Sequence, residues 1–452
     1  MLKILAIAIT TILTSFYYFP VCFAALPAVN TKQIMAIVGV IAWGTQLSMK
    51  RSANLGKELF PLSVYAIIFS LICFFSVTYN STTDYSYATY IASMWLWLAG
   101  AYGVCRIIRM THGSVSFRTV SHYLIAVCVI QCILAMVIDY NPAFKAFVDT
   151  YIMQSQEFLT RVKRIYGIGA MLDPAGIRFS VVLILLSYLI ASRKAGEKIW
   201  LTLLYFSAFA IITVIGNIIA RTTIAGDIMG LIYIIYRQIY GGENRPFDTR
   251  EIVIASLVTI CVFVPVVVYF YNTNVVFHKH LRFGFEGFFS LVEKGRWDVS
   301  SNEVLKSMVV LPDNAKTWLI GDGYFDNPKR TDPYFTGKII SGYYMGTDIG
   351  YLRFIFYCGT IGLLAFSAYI CKCMSICIGR FPEKKMLMLF LGLLNFVVWF
   401  KVSTDIFLIF ALLLLIDPEN TSDEDKSMLP TSELSGNMPR KSNMPDKGKY
   451  VY

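Results

Sequence analysis

Apolar residues fall in long, uninterrupted runs along this chain, separated by short polar connections. The first run extends from Ile4 to about Ala25, and others begin near Gln33, Pro61, Ser86, Thr119, Gly176, Ile199, Ile224, Glu251, Asp348, Met386 and Asp405. A transmembrane helix takes about 20 such residues, so the pattern predicts an all-α polytopic membrane protein with about twelve spans, the second and last being short. A transmembrane β-barrel would instead show roughly ten-residue segments of alternating hydrophobicity, which the continuous runs exclude. The first run follows Lys3 and ends after Cys22 in small residues, so it reads either as a signal anchor or as a cleavable signal peptide.

Two polar segments interrupt the rhythm. The 76 residues from Asn272 to Thr347, between spans nine and ten, are too many for a simple connection. They hold amphipathic stretches around Phe285 to Val292 and Val304 to Val310, with glycine punctuation at Gly321-Asp322-Gly323, and predict a partly helical cap. Residues 417–452 are rich in Ser, Pro, Asn, Asp, Glu and Lys, with too little apolar surface to offset ordering entropy, and predict a disordered tail. The expected organisation is a transmembrane domain over 1–416, with the 272–347 loop inside it, and the tail over 417–452.

Composition agrees, with 56% hydrophobic and 15% charged residues against about 25% charged in soluble domains. The net charge of +11 does not mark a nucleic-acid binder, because no basic run interleaved with aromatics accompanies it. Lys50, Arg51 and Lys57, then Arg106, Arg109 and Arg118, then Arg193, Lys194 and Lys198 occupy one alternating set of short loops. The positive-inside rule makes that set and the C-terminus cytoplasmic. The ten cysteines lie in or beside apolar runs, so no disulfide framework is indicated, and Cys371, Cys373 and Cys377 lack a fourth metal ligand nearby.

The opposite face carries arginines where the charge rule disfavours them: Arg161, Arg164 and Arg178, with Lys163, and then Arg221 in a tight turn. Individually they are consistent with neutralised helix C-termini or lipid phosphates. As a group they point to an anionic ligand, since the guanidinium fork donates in parallel to two oxygens and keeps its charge when partly desolvated. Asp227, six residues beyond Arg221, is an intramembrane carboxylate that is costly unless paired, and is expected to orient Arg221. Asp348, where the polar segment meets an apolar run, is a candidate general base or a helix N-cap. His278 and His280 are two apart without a third ligand, which argues against a metal. With no glycine-rich phosphate loop and no Asp-x-Asp pair in an outside loop, nucleotide chemistry is disfavoured.

Three stretches resemble the bacterial O-antigen polymerase and O-antigen ligase superfamily. Arg164-Ile165-Tyr166-Gly167, ahead of Asp173-Pro174 and an apolar run, is similar to its Arg-x-x-Gly stretch. Ala220-Arg221-Thr222-Thr223 resembles its Ser-Arg-(Thr/Gly) element, with Ala220 replacing Ser. Gly321-Asp322-Gly323-Tyr324, followed by Thr347-Asp348-Ile349-Gly350 and Gly359-Thr360-Ile361-Gly362, resembles the end of the large outer loop and the span after it. Ligases commonly have His at the position of Asp348, which favours the polymerase branch.

The resemblance implies a GT-C-like membrane glycosyltransferase fold, an active face on the periplasmic side of a bacterial inner membrane, and no metal or other cofactor. It implies a polymerase of O-antigen or another surface polysaccharide, acting in lipopolysaccharide biosynthesis. Glycan on undecaprenyl diphosphate would pass to a second lipid-linked repeat unit with inversion, possibilities for partners including a chain-length regulator. Arg164, Arg221 and Asp348 are the expected catalytic residues, with Arg161, Arg178, Arg353, Asp322, Tyr324 and Tyr344 binding substrate. The alternatives are an O-antigen ligase, which differs in acceptor, and a lipid-linked oligosaccharide flippase.

Overall fold

The computed structural model describes residues 2–48, 56–154, 159, 164–193, 198–240, 249–327 and 343–416. The expected tail at 417–452 and the candidates Arg161 and Lys163 lie outside the described residues. What is described is helical apart from one small sheet. Helix α1 is Leu2–Tyr18; α2, Thr31–Ser48; α3, Gly56–Tyr79; α4, Tyr90–His112; α5, Phe117–Tyr140. A short α6, Pro142–Tyr151, precedes α7 at Leu172–Ala191, α8 at Ile199–Ile219, α9 at Ile224–Tyr240 and α10 at Thr249–Thr273. Strand Cys22–Phe23 pairs antiparallel with Leu26–Asn30 and with Ile152–Met153, tying the chain after α1 to the end of α6.

The long segment after α10 folds into Val275–Gly284 (α11), Glu286–Lys294 (α12), Ser300–Ser307 (α13) and Ala315–Ile320 (α14). Then come α15 at Gly350–Arg380, α16 at Lys385–Val398 and α17 at Phe407–Leu413. Among the described residues, seven helices are long and apolar enough to cross a membrane: α3, α4, α5, α7, α8, α10 and α15. The other five apolar runs form α1, α2, α9, α16 and α17, helices of 17, 18, 17, 14 and 7 residues. At 1.5 Å per residue, α16 rises only about 21 Å, against a hydrocarbon core of about 30 Å.

Helices α7 and α9 cross at close range because small residues face each other. A Cβ at Gly226 would lie 2.2 Å from Ser180 Cα. Ser180 Oγ accepts from Gly226 N at 3.1 Å while donating to Gly176 O at 2.9 Å. Such small-residue contacts let backbones approach where lipid offers no hydrophobic drive.

Helix α15 is interrupted at Gly359, whose φ of 68° lies in the left-handed region and whose added Cβ would stand 2.0 Å from Leu319 O. The break frees the carbonyls of Phe356 and Tyr357, which accept from Asp322 N at 2.6 Å and Gly323 N at 3.2 Å. Residues 350–358 therefore pack with α14 as part of the cap, and the uninterrupted stretch long enough to span begins after Gly359. Asp348 stands just ahead of the first of the two helical pieces that Gly359 separates.

Candidate anion-binding site

The connections after α3 and α16, the last turn of α5 and the first turn of α7 supply the charged groups near the cap. Asp84 Oδ2 accepts from Phe325 N at 2.7 Å, Asp139 Oδ2 lies 3.1 Å from His280 Nε2, and Lys401 Nζ pairs with Asp173 Oδ1 at 3.0 Å.

Arg164 enters this region from a turn seated on α5. Gly167 N donates to Ala170 O at 2.8 Å, and Gln131 Oε1 accepts from Ile168 N at 2.8 Å, so the glycine of the Arg-x-x-Gly stretch sits where a Cβ would meet Gln131 at 2.5 Å. Arg221 enters from the break between α8 and α9, where extended Ala220 ends one helix and Thr223 N returns to Ala220 O at 3.0 Å. Just before it, α8 carries a π turn over Ile212–Gly216. Asp227 serves that turn, accepting from Thr213 Oγ1 at 2.6 Å and from Asn217 Nδ2 at 2.7 Å. The expectation that Asp227 orients Arg221 is thus corrected: its oxygens go to α8.

The two arginines meet on one ring. The Arg164 guanidinium lies 4.0 Å from the Phe283 ring centroid and that of Arg221 3.9 Å from the same centroid. Cation–π attraction favours each contact, but two like charges around one ring raise the local demand for an anion. Arg221 is further fixed by Nε donating to Phe283 O at 2.9 Å, Nη1 donating to Ser301 Oγ at 3.0 Å, and an ion pair from Nη2 to Glu286 Oε2 at 2.7 Å. Burial pulls the Arg164 guanidinium below the ordinary arginine value, and Arg221 adds to that effect. Burial does the same to Arg221, with Glu286 opposing it. Arg221, Glu286, Trp297, Ser301, Asn302 and Lys401 share a cavity of about 170 Å³.

Lys401 links this cavity to Asp348 through the charge field. Burial pushes the Asp348 carboxyl up to about 6, Asp173 reinforces the rise, and Arg353, Tyr343 and Lys401 oppose it. Arg353 Nη1 stands 3.5 Å from Asp348 Oδ1, while Nη2 pairs with Asp326 at 2.7 Å and donates to Phe325 O at 3.1 Å. With its ring contacts to Phe325 at 3.8 Å and Tyr343 at 4.5 Å, Arg353 is a buried organiser of Asp348. The N-cap role for Asp348 is not observed: Tyr351 N donates to Trp399 O at 3.2 Å, and Ile349 N to Thr347 Oγ1 at 3.3 Å.

The remaining predicted residues sit elsewhere. Asp322 accepts from Thr317 Oγ1 at 2.6 Å, Lys316 Nζ at 2.8 Å and Tyr344 O–H at 3.2 Å, inside the cap's own packing. Tyr324 and Tyr344 are buried and stack on each other with centroids 5.3 Å apart, presenting no open ring face for a sugar. Arg178 lies 5.5 Å over Phe19, in the charge field of Asp405 together with Lys32. His278 stacks on Tyr271 at 4.1 Å while His280 faces Asp139, so the two histidines do not converge.

Sequence reasoning passed over Lys401, Phe283 and the pairing role of Glu286. Lys401 had a signal: it is a basic residue in a short connection of the same parity as Arg221, an equal departure from the charge rule. Phe283 and Glu286 had none, because their role depends on how the cap folds back. The chain matches no protein-family model, no curated protein and no solved structure with which it was compared.

Proposed function

We propose that the chain is a metal-independent inverting glycosyltransferase, the repeat-unit polymerase of a bacterial surface polysaccharide such as O-antigen, working at the periplasmic face of the inner membrane. What carries this reading is the meeting of Arg164 and Arg221, from two separate connections, on the Phe283 ring. Preorganised cationic donors at a leaving diphosphate act on the charge that develops there in the transition state. Asp348, with its carboxyl raised to about 6, suits a group that takes the proton of an acceptor hydroxyl.

In the reaction, the acceptor hydroxyl oxygen bonds to the anomeric carbon of the lipid-linked glycan while the bond from that carbon to the diphosphate oxygen breaks. The diphosphate leaves with the electron pair, held by Arg164 and Arg221, and Asp348 receives the proton. The short α16 supports a recessed position for Lys401 and Asp173, since a rise of about 21 Å from one membrane face stops short of the other.

A gel of surface polysaccharide tests the reading, using cells that lack the chain and are complemented with wild type or Arg221→Ala at matched membrane abundance. Loss of the long ladder with single repeats retained, restored by wild type alone, is expected. An unchanged ladder without the chain would overturn it. A transport reading draws on the same arginine pair, because a flippase would also have to meet the diphosphate of its lipid-linked cargo. Transfer by purified protein, without any movement of lipid between leaflets, separates the two.

A further inference from the structure

We infer that Glu286 is a competing anion built into the site, and that it determines which anions Arg221 accepts. This rests on the diphosphate reading above and concerns the selectivity of the same seat. Glu286 Oε2 lies 2.7 Å from Arg221 Nη2 and also accepts from Ser300 Oγ at 2.9 Å. Its side chain is 32% exposed against 11% for that of Arg221, and both line the cavity that Lys401 reaches. The carboxylate is therefore the outer, displaceable member of the pair.

The other contacts of Arg221 do not depend on it. Nε on Phe283 O and Nη1 on Ser301 Oγ keep the guanidinium oriented when Glu286 swings away, leaving Nη2 directed at the vacated position. Neighbouring cations on the cap have partners of their own: Arg282 is held by both oxygens of Glu293 at 2.6 Å, and Lys294 by Asp298 at 2.9 Å. Glu286 is thus committed to Arg221.

A ligand must outbid one carboxylate already in place. A monoanion merely exchanges like for like and loses the Ser300 contact. A diphosphate group brings more than one negative charge and several oxygens, enough to engage Arg221, Arg164 and Lys401 together. The sign of the effect distinguishes a competitor from a binding contact: removing a contact weakens binding, whereas removing a competitor strengthens it.

The experiment is calorimetric titration of inorganic pyrophosphate into the full chain in lipid nanodiscs, comparing wild type, Glu286→Gln, Glu286→Ala and Arg221→Gln. Both Glu286 variants are expected to bind roughly two- to fivefold tighter, the range set by releasing one partly exposed ion pair. Arg221→Gln is expected to bind more weakly than wild type. Unchanged or weaker binding in the folded Glu286 variants, with the Arg221 dependence intact, would overturn the competitor role and leave the diphosphate reading standing. Binding indifferent to Arg221, or absent from all four proteins, would overturn both.

Discussion

Two regions under the cap carry the polar residues that the sequence singled out, and they use them in opposite ways. Around Phe283, the charged heads of Arg164, Arg221 and Lys401 gather at or beside a cavity, and the carboxylates that meet them, Glu286 and Asp173, are partly exposed. Around Asp322, the oxygens are consumed by Thr317, Lys316 and Tyr344, with Tyr324 and Tyr344 packed into an apolar cluster. The first arrangement leaves charge available to a ligand. The second satisfies its polar groups internally, within a half-buried knot that stabilises the fold. A polar residue in a recognisable motif is therefore informative only once its partners are known.

The contrast breaks first at the arginines. Arg164→Ala and Arg221→Ala are expected to reduce glycan transfer by about a hundredfold or more, the scale for removing one preorganised donor to a developing anion. Melting temperatures and membrane abundance should stay near wild type. Unfolding of both variants instead would make these arginines structural, like Asp322.

Asp348→Asn is expected to lower transfer by about a hundredfold if the carboxylate takes the proton. With a folded value of about 6 against an ordinary 3.8, the proton-accepting form is the minority below pH 6 and dominates above it. Transfer by wild type should rise with pH through about 6, and the rising limb should vanish in the variant. Stability carries the opposite sign: the folded state binds the proton more tightly, so this group's contribution falls as pH rises from about 4 to 6. A rate profile flat through pH 6 would remove Asp348 as the base.

In the second region the effects should appear in stability. Gly359→Ala forces a side chain into a left-handed backbone and against Leu319 O, and is expected to cost more than about 2 kcal/mol by thermal unfolding in detergent. Asp322→Ala strands the partners of its carboxylate and should cost about 1–3 kcal/mol, with transfer per folded molecule retained. Tyr324→Phe, the smallest change, should leave transfer unaltered, whereas a marked loss would return that ring to the substrate site.

Much of the helical framework was legible because apolar run length is a local property. The run from Thr119 became α5, and that from Glu251 became α10, with little displacement. Legibility failed where tertiary contacts decide the outcome. The apolar residues from Ile406 to Ile416 suggest a short span, yet only Phe407–Leu413 is helical. The break at Gly359 depends on α14 docking against it, which no local pattern announces. In the site, Arg221 was visible as a charge in the wrong place, and Lys401 was open to the same argument. The shared Phe283 ring was not, because it joins residues more than a hundred positions apart in sequence, from Arg164 to Phe283.

The central claim, that the Arg164 and Arg221 pair holds a leaving diphosphate during glycan transfer, is tested most directly with purified protein in proteoliposomes supplied with a lipid-linked repeat unit. The measurement is release of polyprenyl diphosphate together with product length. Wild type is predicted to release the lipid diphosphate as polymer lengthens, with both activities lost together in Arg164→Ala and in Arg221→Ala at matched folded protein. Polymer formed by either variant at the wild-type rate would contradict the account.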